Sequence, residues 1–366
     1  MKIGILTFHI ATSYGANLQC YATSSLLREA GFEPKTIDYV PPYFAAQYLP
    51  ECRFSGKSWK KKLLYTLLMR RSYERKYAAF QVFRETNLCL PPRVGSVREL
   101  QESFAAVICG SDQIWNPSIT HGYDPTYFGE GFAPQTRVIA YAASCGNLAE
   151  VQNTAPETFF RHLETVEAIS CREQPLAQYI SERTGKTVPV VADPTLLLPR
   201  SALLRLEKAP RRCPRNYILV YQLAQNARMT AAAKRMAKQS GKRIVTLFGN
   251  LSFSDCTKRG LHSASIEEFL WLLHHADAVL TNSFHGVSLS IALQRDFLAF
   301  EGSAPNERVR NLLCRAGLEN RLCRDNQIPS EPIDYRQAED KLQPWLSQSK
   351  QFILQTLTGA EARHGH

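Results

Sequence analysis

The residues best placed for chemistry lie in one polar turn, Thr281–Gly286, between an apolar strand and an apolar helix. His285 in this turn can hold or release a proton near neutral pH. Ser283 is the expected N-cap of the helix, which would leave the N–H groups of Phe284, His285 and Gly286 free to bind an anion. A lone histidine is more often structural, but turns at the carboxyl end of parallel strands are where α/β sheets place their sites. We therefore predict an anion site at this turn.

Polar residues follow two other predicted strands in the same way. Ser111 and Asp112 come directly after an apolar strand, and Asp112 is either a base or the cap of a short helix. Asn17 and Gln19 lie on the first turn of the helix after the first strand, a second position that favours anions. A single Gly15 stands in that turn, so the glycine pattern of dinucleotide-binding domains is absent from the sequence.

Apolar runs alternate with helical stretches along most of the chain. The predicted strands are 2–7, 33–39, 104–109, 137–142, 168–171, 188–191, 217–221, 243–247, 278–280 and 296–300. Residues 41–49 are predicted to form a loop, and the Pro- and Arg-rich residues 199–214 a linker. The alternation predicts an α/β protein with two doubly wound, Rossmann-like domains that face a cleft.

The expected domain boundaries follow from this pattern. The N-terminal domain covers 1–198 and contains a helical basic insertion at about 57–86. The C-terminal domain, which carries the His285 turn, covers 199–333. A long helix and a tail occupy 334–366, and we expect this helix to pack back across the first domain.

Composition narrows the class of protein. The chain has 366 residues, a net charge of +11 and ten scattered cysteines without a C-x-x-C pair. This pattern predicts reduced thiols, a cytoplasmic location and no metal site, and we expect neither a signal peptide nor a membrane-spanning segment. The positive charge suits an acidic partner, but it is spread along the chain, which argues against nucleic acid.

The basic insertion leaves two interpretations open. Its lysines and arginines alternate with leucines and tyrosines, as in helices that lie on anionic membranes. The same pattern is typical of the solvated face of a helical hairpin.

Five motifs together resemble the polysaccharide pyruvyl transferase family, over about residues 1–325. They are SYGANLQ (13–19), GSDQIWNP (110–117), ISCRE (169–173), ADPTLLL (192–198) and TNSFHG (281–286). Each motif alone is modest, but five in this order are specific. The resemblance implies a two-domain, glycosyltransferase-B-like fold, in agreement with the predicted domains.

The resemblance also implies an activity. Members of this family transfer pyruvate from phosphoenolpyruvate to a sugar, commonly as a ketal, so phosphoenolpyruvate would be a co-substrate and no cofactor would be needed. His285 matches the family's acid/base histidine, and we expect Asp112 to assist it. The donor would be held by Arg172 and by the turn residues Ser283, Phe284 and Gly286.

We expect the acceptor to lie against Asn17, Gln19 and Ser111. This acceptor would be a glycan of a surface or capsular polysaccharide precursor, with a polyprenyl-diphosphate-linked sugar as one form. That form would bring the enzyme to the inner face of the membrane.

The sequence departs from the family pattern at one position. Some branches carry an arginine two residues before the histidine, where this chain has Ser283. Arg308, at the start of a predicted helix, is the best replacement for that cation.

One alternative function shares the expected fold, a glycosyltransferase that uses a nucleotide-activated sugar. It requires a nucleotide pocket in the second domain with a base-stacking or ribose-binding acidic residue, and Glu301 is the evident candidate. A third alternative, a non-catalytic module that binds nucleic acid or a membrane, rests on the net charge alone.

Overall fold

Two parallel β-sheets form the frame of the protein in the computed structural model. The residues that the structure describes are 1–52, 59, 63, 66, 69–211, 215–249, 260–302, 306–324, 329 and 331–359.

The first sheet has the strand order β2-β1-β3-β4-β5, and all of its strands are parallel. Its strands are β1 (Lys2–Leu6), β2 (Glu33–Thr36), β3 (Ala106–Cys109), β4 (Arg137–Ala143) and β5 (Ala168–Cys171). The central strand β3 is buried at every residue, because helices cover both faces of such a sheet. This explains why its sequence is a continuous apolar run.

The second sheet has the order β7-β6-β8-β9 and is also parallel. Its strands are β6 (Tyr217–Gln222), β7 (Arg243–Phe248), β8 (Ala278–Thr281) and β9 (Phe297–Ala299). Two parallel sheets with intervening helices confirm the predicted α/β fold class.

Thirteen α-helices occur in the described part of the chain. They are α1 (Tyr14–Glu29), α2 (Pro42–Tyr48), α3 (Arg70–Asn87), α4 (Pro117–Thr120), α5 (Leu148–Asn153), α6 (Pro156–Leu163), α7 (Gln174–Thr184), α8 (Arg200–Leu206), α9 (Ala227–Ser240), α10 (Ile266–His274), α11 (Phe284–Ala292), α12 (Glu307–Ala316) and α13 (Tyr335–Thr358). None of these helices combines the length and the apolar character needed to cross a membrane.

Helices of the first half reach the core of the second sheet. The ring of Tyr14 on α1 stacks on Phe269 of α10, with 4.4 Å between the ring centres. Lys76 on α3 is buried, donates to the carbonyl of Gly249 at 2.5 Å and lies 4.8 Å from the centre of the Tyr14 ring. The part of the basic insertion that forms α3 therefore packs one of its faces against the protein. Other residues of the insertion, 53–58, 60–62, 64–65 and 67–68, lie outside the described residues.

The last helix returns to the first sheet, as predicted. The indole N–H of Trp345 on α13 donates to the carbonyl of Val190 at 2.8 Å. Further along α13, Ile353 and Leu357 are buried in the same core cluster as Ile3 of β1. The final helix thus joins both halves of the chain.

Three local predictions are wrong. Residues 41–49 contain α2 instead of only a loop, because a proline is well suited to the first helical turn and Phe44 is buried. The predicted linker contains α8, which buries Leu203. Residues 188–191 form only a single bridge, between Cys171 and Val190, instead of a strand.

Candidate active site

The His285 turn begins helix α11 as the sequence predicts. Ser283 has extended backbone angles, and its hydroxyl accepts the N–H of Gly286 at 3.3 Å. The predicted free N–H of Gly286 is therefore wrong, because the cap uses this group. A Cβ at Gly286 would lie 2.3 Å from Oγ1 of Thr281, so the glycine allows close packing of the turn. Of the three N–H groups predicted to be free, those of Phe284 and His285 remain, because the first turn of a helix has no backbone acceptor for them.

A buried carboxylate, that of Asp193, joins this turn to the first domain. Its Oδ2 atom lies 2.8 Å from Nη1 of Arg172 and 3.5 Å from Nε2 of His285. Burial alone would raise the pKa of Asp193, but His285 and Arg172 outweigh it and hold this pKa well below its usual range. Asp193 is therefore ionised at neutral pH.

Arg172 follows β5, and not all of its hydrogen-bond donors are used. Only its Nη1 is hydrogen-bonded; Nε and Nη2 are buried and have no hydrogen-bond partner within the described structure. Nη2 lies 3.8 Å from Oδ1 of Asp112. Burial would lower the pKa of Arg172, but the nearby carboxylates, led by Asp193, outweigh it and raise this pKa. The guanidinium therefore stays charged and can still bind an anion.

Arg308 supplies a second cation at the same turn. The guanidinium carbons of Arg172 and Arg308 lie 5.0 Å and 5.8 Å from the centre of the Phe284 ring. Nε of Arg308 is 3.8 Å from Oε1 of Glu173, which also accepts the hydroxyl of Ser144. Burial and the charge of Arg172 lower the pKa of Arg308. Two guanidinium groups thus contact one aromatic ring beside His285.

His285 itself is held against the first domain. Its side chain is 11 % exposed, and Nε2 has no hydrogen-bond partner among the described atoms. A Cβ at Gly15 would lie 2.1 Å from Cγ of the imidazole, so only glycine permits α1 to approach the ring this closely. The imidazole is therefore fixed in place and partly accessible.

The structure brings together residues that are far apart in the sequence. Asp112 and Arg172 come from the first sheet, and His285 comes from the second. Asp112 has a left-handed backbone, with φ of 78°, and its Oδ1 accepts the N–H of Gln113 at 2.9 Å. The cluster lies where the carboxyl ends of both sheets meet.

The three predicted acceptor residues are buried. Asn17 donates to the carbonyl of Ala11 at 2.7 Å, Gln19 to Oγ1 of Thr7 at 2.7 Å, and Ser111 to the carbonyl of Ala142 at 3.2 Å. The side-chain oxygens of Asn17 and Gln19 have no hydrogen-bond partner in the described structure. Their role toward an acceptor stays a prediction.

The carboxylate of Glu301, the candidate for a ribose contact, already accepts hydrogen bonds from other residues of the protein. Its carboxylate accepts two hydrogen bonds from Arg310, at 2.7 Å and 2.9 Å, and one from the N–H of Asn306 at 2.9 Å. The nucleotide-sugar alternative therefore gains no support from this residue.

One group of three potential metal ligands occurs within the described residues: Glu207, His274 and His275. It precedes β8, at the sheet edge opposite His285. Nδ1 of His274 is 2.8 Å from Oε1 of Glu207, and its Nε2 is 3.5 Å from Nη2 of Arg200. The imidazole of His274 thus lies between a carboxylate and a guanidinium, and we assign the group no part in the reaction.

Asp193 and Glu173 are site residues that the sequence did not single out as functional. Both lie within the family motifs, each two residues after a predicted strand (168–171 and 188–191), and this position was the available signal. Their partners come from distant parts of the chain, which no local pattern indicates.

Solved structures of other proteins align with this chain and describe its fold. UDP-GlcNAc 2-epimerase from Neisseria meningitidis, bound to UDP-GlcNAc, aligns with a TM-score of 0.51 at 10 % identity, covering 98 % of this chain and 100 % of that one. The heptosyltransferase WaaC from E. coli aligns with a TM-score of 0.41 at 14 % identity, covering 83 % and 90 %. The first comparison and the two parallel sheets confirm the predicted glycosyltransferase-B-like fold.

A family model for polysaccharide pyruvyl transferases matches residues 14–303. The chain belongs to the polysaccharide pyruvyl transferase family, and the predicted resemblance is confirmed. It is accordingly a transferase of polysaccharide biosynthesis. No curated protein matches the chain in sequence.

Proposed function

We propose that this protein transfers the pyruvyl group of phosphoenolpyruvate to a sugar of a surface or capsular polysaccharide precursor and forms a ketal. The observation that carries this proposal is the pair of guanidinium groups, Arg172 and Arg308, on Phe284 beside His285. Phosphoenolpyruvate has a carboxylate and a phosphate, and guanidinium groups bind both through paired hydrogen bonds. Arg308 would replace the arginine that is absent at Ser283.

The reaction needs proton transfer at positions that these residues can serve. His285 donates a proton to C3 of the enol, a sugar hydroxyl attacks C2, and Asp112 accepts the proton of that hydroxyl. Phosphate then leaves C2 and takes the proton from Asp112, and a second hydroxyl of the sugar attacks C2 and gives its proton to His285. The sum converts phosphoenolpyruvate and two hydroxyls into a ketal and inorganic phosphate. No atom is oxidised, so no redox cofactor is required.

The proposed setting is the cytoplasm, at the inner face of the membrane. Asn17, Gln19 and Ser111 lie in the first domain near β1 and β3, and we propose that this side receives the acceptor. A polyprenyl-diphosphate-linked sugar would place the reaction at an anionic surface. The basic insertion and the net charge of +11 suit such a surface.

The test is phosphate release from phosphoenolpyruvate with a panel of UDP-linked and polyprenyl-diphosphate-linked sugars. We expect release with at least one acceptor, a new methyl signal of the ketal by NMR, and unchanged activity in EDTA. Transfer of sugar from a nucleotide donor, without phosphate release from phosphoenolpyruvate, would favour the glycosyltransferase alternative. Activity that EDTA abolishes and a divalent ion restores would contradict the metal-free reaction.

A further inference from the structure

One carboxylate is shared by the cation and the histidine of the proposed reaction. Oδ2 of Asp193 lies 2.8 Å from Nη1 of Arg172, 3.3 Å from Oγ of Ser111 and 3.5 Å from Nε2 of His285. Oδ1 accepts the N–H of Thr195 at 3.0 Å and its hydroxyl at 2.7 Å. Asp193 is fully buried, so it contacts these groups and not a substrate.

We infer that Asp193 is a positioning residue that fixes the orientation of His285 and of Arg172 relative to each other. This inference rests on the proposed function. A buried carboxylate 3.5 Å from Nε2 favours the ring orientation in which this nitrogen faces Asp193, because little water screens the pair. The hydrogen bonds from Thr195 keep the carboxylate from turning away.

Other charged groups lie in the same cluster. Asp112 after β3 is 3.8 Å from Arg172, and Arg308 on α12 is 3.8 Å from Glu173 and contacts the ring of Phe284, the residue before His285. Among the described residues, Asp193 is the carboxylate that lies within 4 Å of a nitrogen of the imidazole. Asp193 is therefore the charged group that can fix the orientation of the ring.

The position of Asp193 also joins the two halves of the site. The turn Pro194–Leu196 follows it directly, and Oγ1 of Thr195 lies 3.2 Å from Oγ of Ser288 on α11. The donor arginine comes from the first sheet, and the histidine comes from the second. One carboxylate therefore sets the geometry between the anion-binding cation and the proton donor.

The test compares Asp193→Asn with Asp38→Asn, a matched control. Asp38 is likewise buried and pairs with a histidine and an arginine: His9 at 2.9 Å and Arg93 at 3.1 Å. Both variants replace a carboxylate with an amide of the same shape. The measurements are kcat, the dissociation constant of phosphoenolpyruvate, and the NMR chemical shifts of the His285 imidazole, assigned by their loss in His285→Gln.

For Asp193→Asn we expect a fall in kcat of about 10²–10⁴-fold. The dissociation constant of phosphoenolpyruvate should rise by a smaller factor, because Arg172 loses the carboxylate that orients it. The NMR signals of the His285 ring should shift, because the carboxylate beside Nε2 is gone. Asp38→Asn should leave these three quantities unchanged, and damage that was merely structural would also move the signals of the other histidines.

Unchanged NMR signals of the His285 ring in Asp193→Asn, or an equal change in Asp38→Asn, would overturn the inference. If Asp193→Asn does not fold, Thr195→Val decides: it keeps the charge of Asp193 but removes the hydroxyl that donates to Oδ1, and kcat should fall about five- to tenfold. Wild-type kcat in that variant would also overturn the inference. If the wild type releases no phosphate from phosphoenolpyruvate, the proposed function fails, whereas the His285 ring signals still test the contact between Asp193 and His285.

Discussion

His285 and Arg172 act on different stages of the proposed reaction, so their variants should fail differently. His285→Gln keeps a polar side chain of similar size but cannot exchange a proton, so turnover should fall by about 10²–10⁴-fold. The dissociation constant of phosphoenolpyruvate should change little, because the guanidinium groups remain. Steady-state kinetics and calorimetric titration check both. A folded variant with near-normal turnover would assign His285 a structural role only.

Arg172→Lys should instead weaken donor binding. Lysine keeps a positive charge for Asp193 but loses the forked donors that Nε and Nη2 present. We expect the KM for phosphoenolpyruvate to rise about 10- to 100-fold with a smaller change in kcat. Arg183→Lys is the matched control, because Arg183 is half-exposed and pairs with Glu157. Equal KM values in both variants would exclude Arg172 from the donor site.

At the residue scale, the sequence predicts those features of the site that depend on neighbouring residues in the chain. The cap at Ser283 and the placement of His285 follow from an apolar strand, a polar turn and a helix in succession. The use of the Gly286 N–H by that cap, and the burial of Asn17, depend on side-chain geometry and tertiary packing. Asp193 became a site residue only because distant elements fold onto it.

At the scale of elements, helix α13 stabilises the first domain from the far end of the chain. Ile353 is fully buried against the core of the first sheet. Ile353→Ala should therefore lower the free energy of unfolding by about 2–5 kcal/mol, through lost burial and the cavity left behind. Gln351→Ala, at an exposed position of the same helix, should change it little. Urea unfolding measures the difference, and equal stability of the two variants would contradict this role of α13.

The carboxyl group of Asp38 should make the free energy of unfolding depend on pH. Burial would raise the pKa of Asp38, but His9 and Arg93 outweigh it and lower this pKa. A depressed carboxyl pKa contributes stability above the unfolded pKa of about 3.9, and this contribution is lost as the pH falls through the folded pKa. Asp38→Asn should thus cost about 1–3 kcal/mol at pH 7.

The difference between wild type and Asp38→Asn should narrow as the pH falls below about 4. Urea unfolding at pH 7 and at pH 3.5 tests this, with the exposed Glu157→Gln as the control. A difference that stays constant with pH would show that the ionised carboxylate of Asp38 contributes no net stability.

The residues at and near the ends of each helix and strand explain which of these elements could be predicted from the sequence. The strand Ala168–Cys171 has the predicted bounds, because the charged residues Arg172 and Glu173 follow it directly. Helix α2 was missed because adjacent prolines are typical of loops. Val190 has the apolar neighbours of a strand, but it makes only one bridge to Cys171 and its carbonyl accepts from Trp345 of α13.

At the scale of the whole molecule, neither sheet builds the site alone. The first sheet supplies Arg172 and Asp112, the second supplies His285, and the Asp193 turn lies between them. Packing of α1 and α3 on the second core explains how the imidazole can be held against Gly15. Alternation of strands and helices predicted the two sheets, whereas the contacts between them could not be read from periodicity.

Contact with a membrane is the proposal that concerns the molecule as a whole. In the basic insertion, the side chains of Trp59 and Leu63 are 69 % and 50 % exposed, and the sequence places lysines around them, at 57 and 60–62. Exposed aromatic and aliphatic side chains beside lysines are typical of helices that lie on anionic bilayers. Each basic residue near such a surface contributes about 1 kcal/mol, and salt screens the attraction.

We therefore expect the protein to bind vesicles that contain anionic lipid more tightly than neutral vesicles, and to lose this binding as the salt concentration rises. Changing Lys60, Lys61 and Lys62 together to Glu should weaken binding by at least about 100-fold, because three attractions become repulsions. The control changes Lys186, Lys234 and Lys238 to Glu, which alters the net charge equally at exposed positions elsewhere. Co-sedimentation measures both. If the two triple variants lose binding equally, the net charge of the protein and not the insertion draws it to the membrane; equal binding of the wild type to neutral and anionic vesicles would rule out the electrostatic contact.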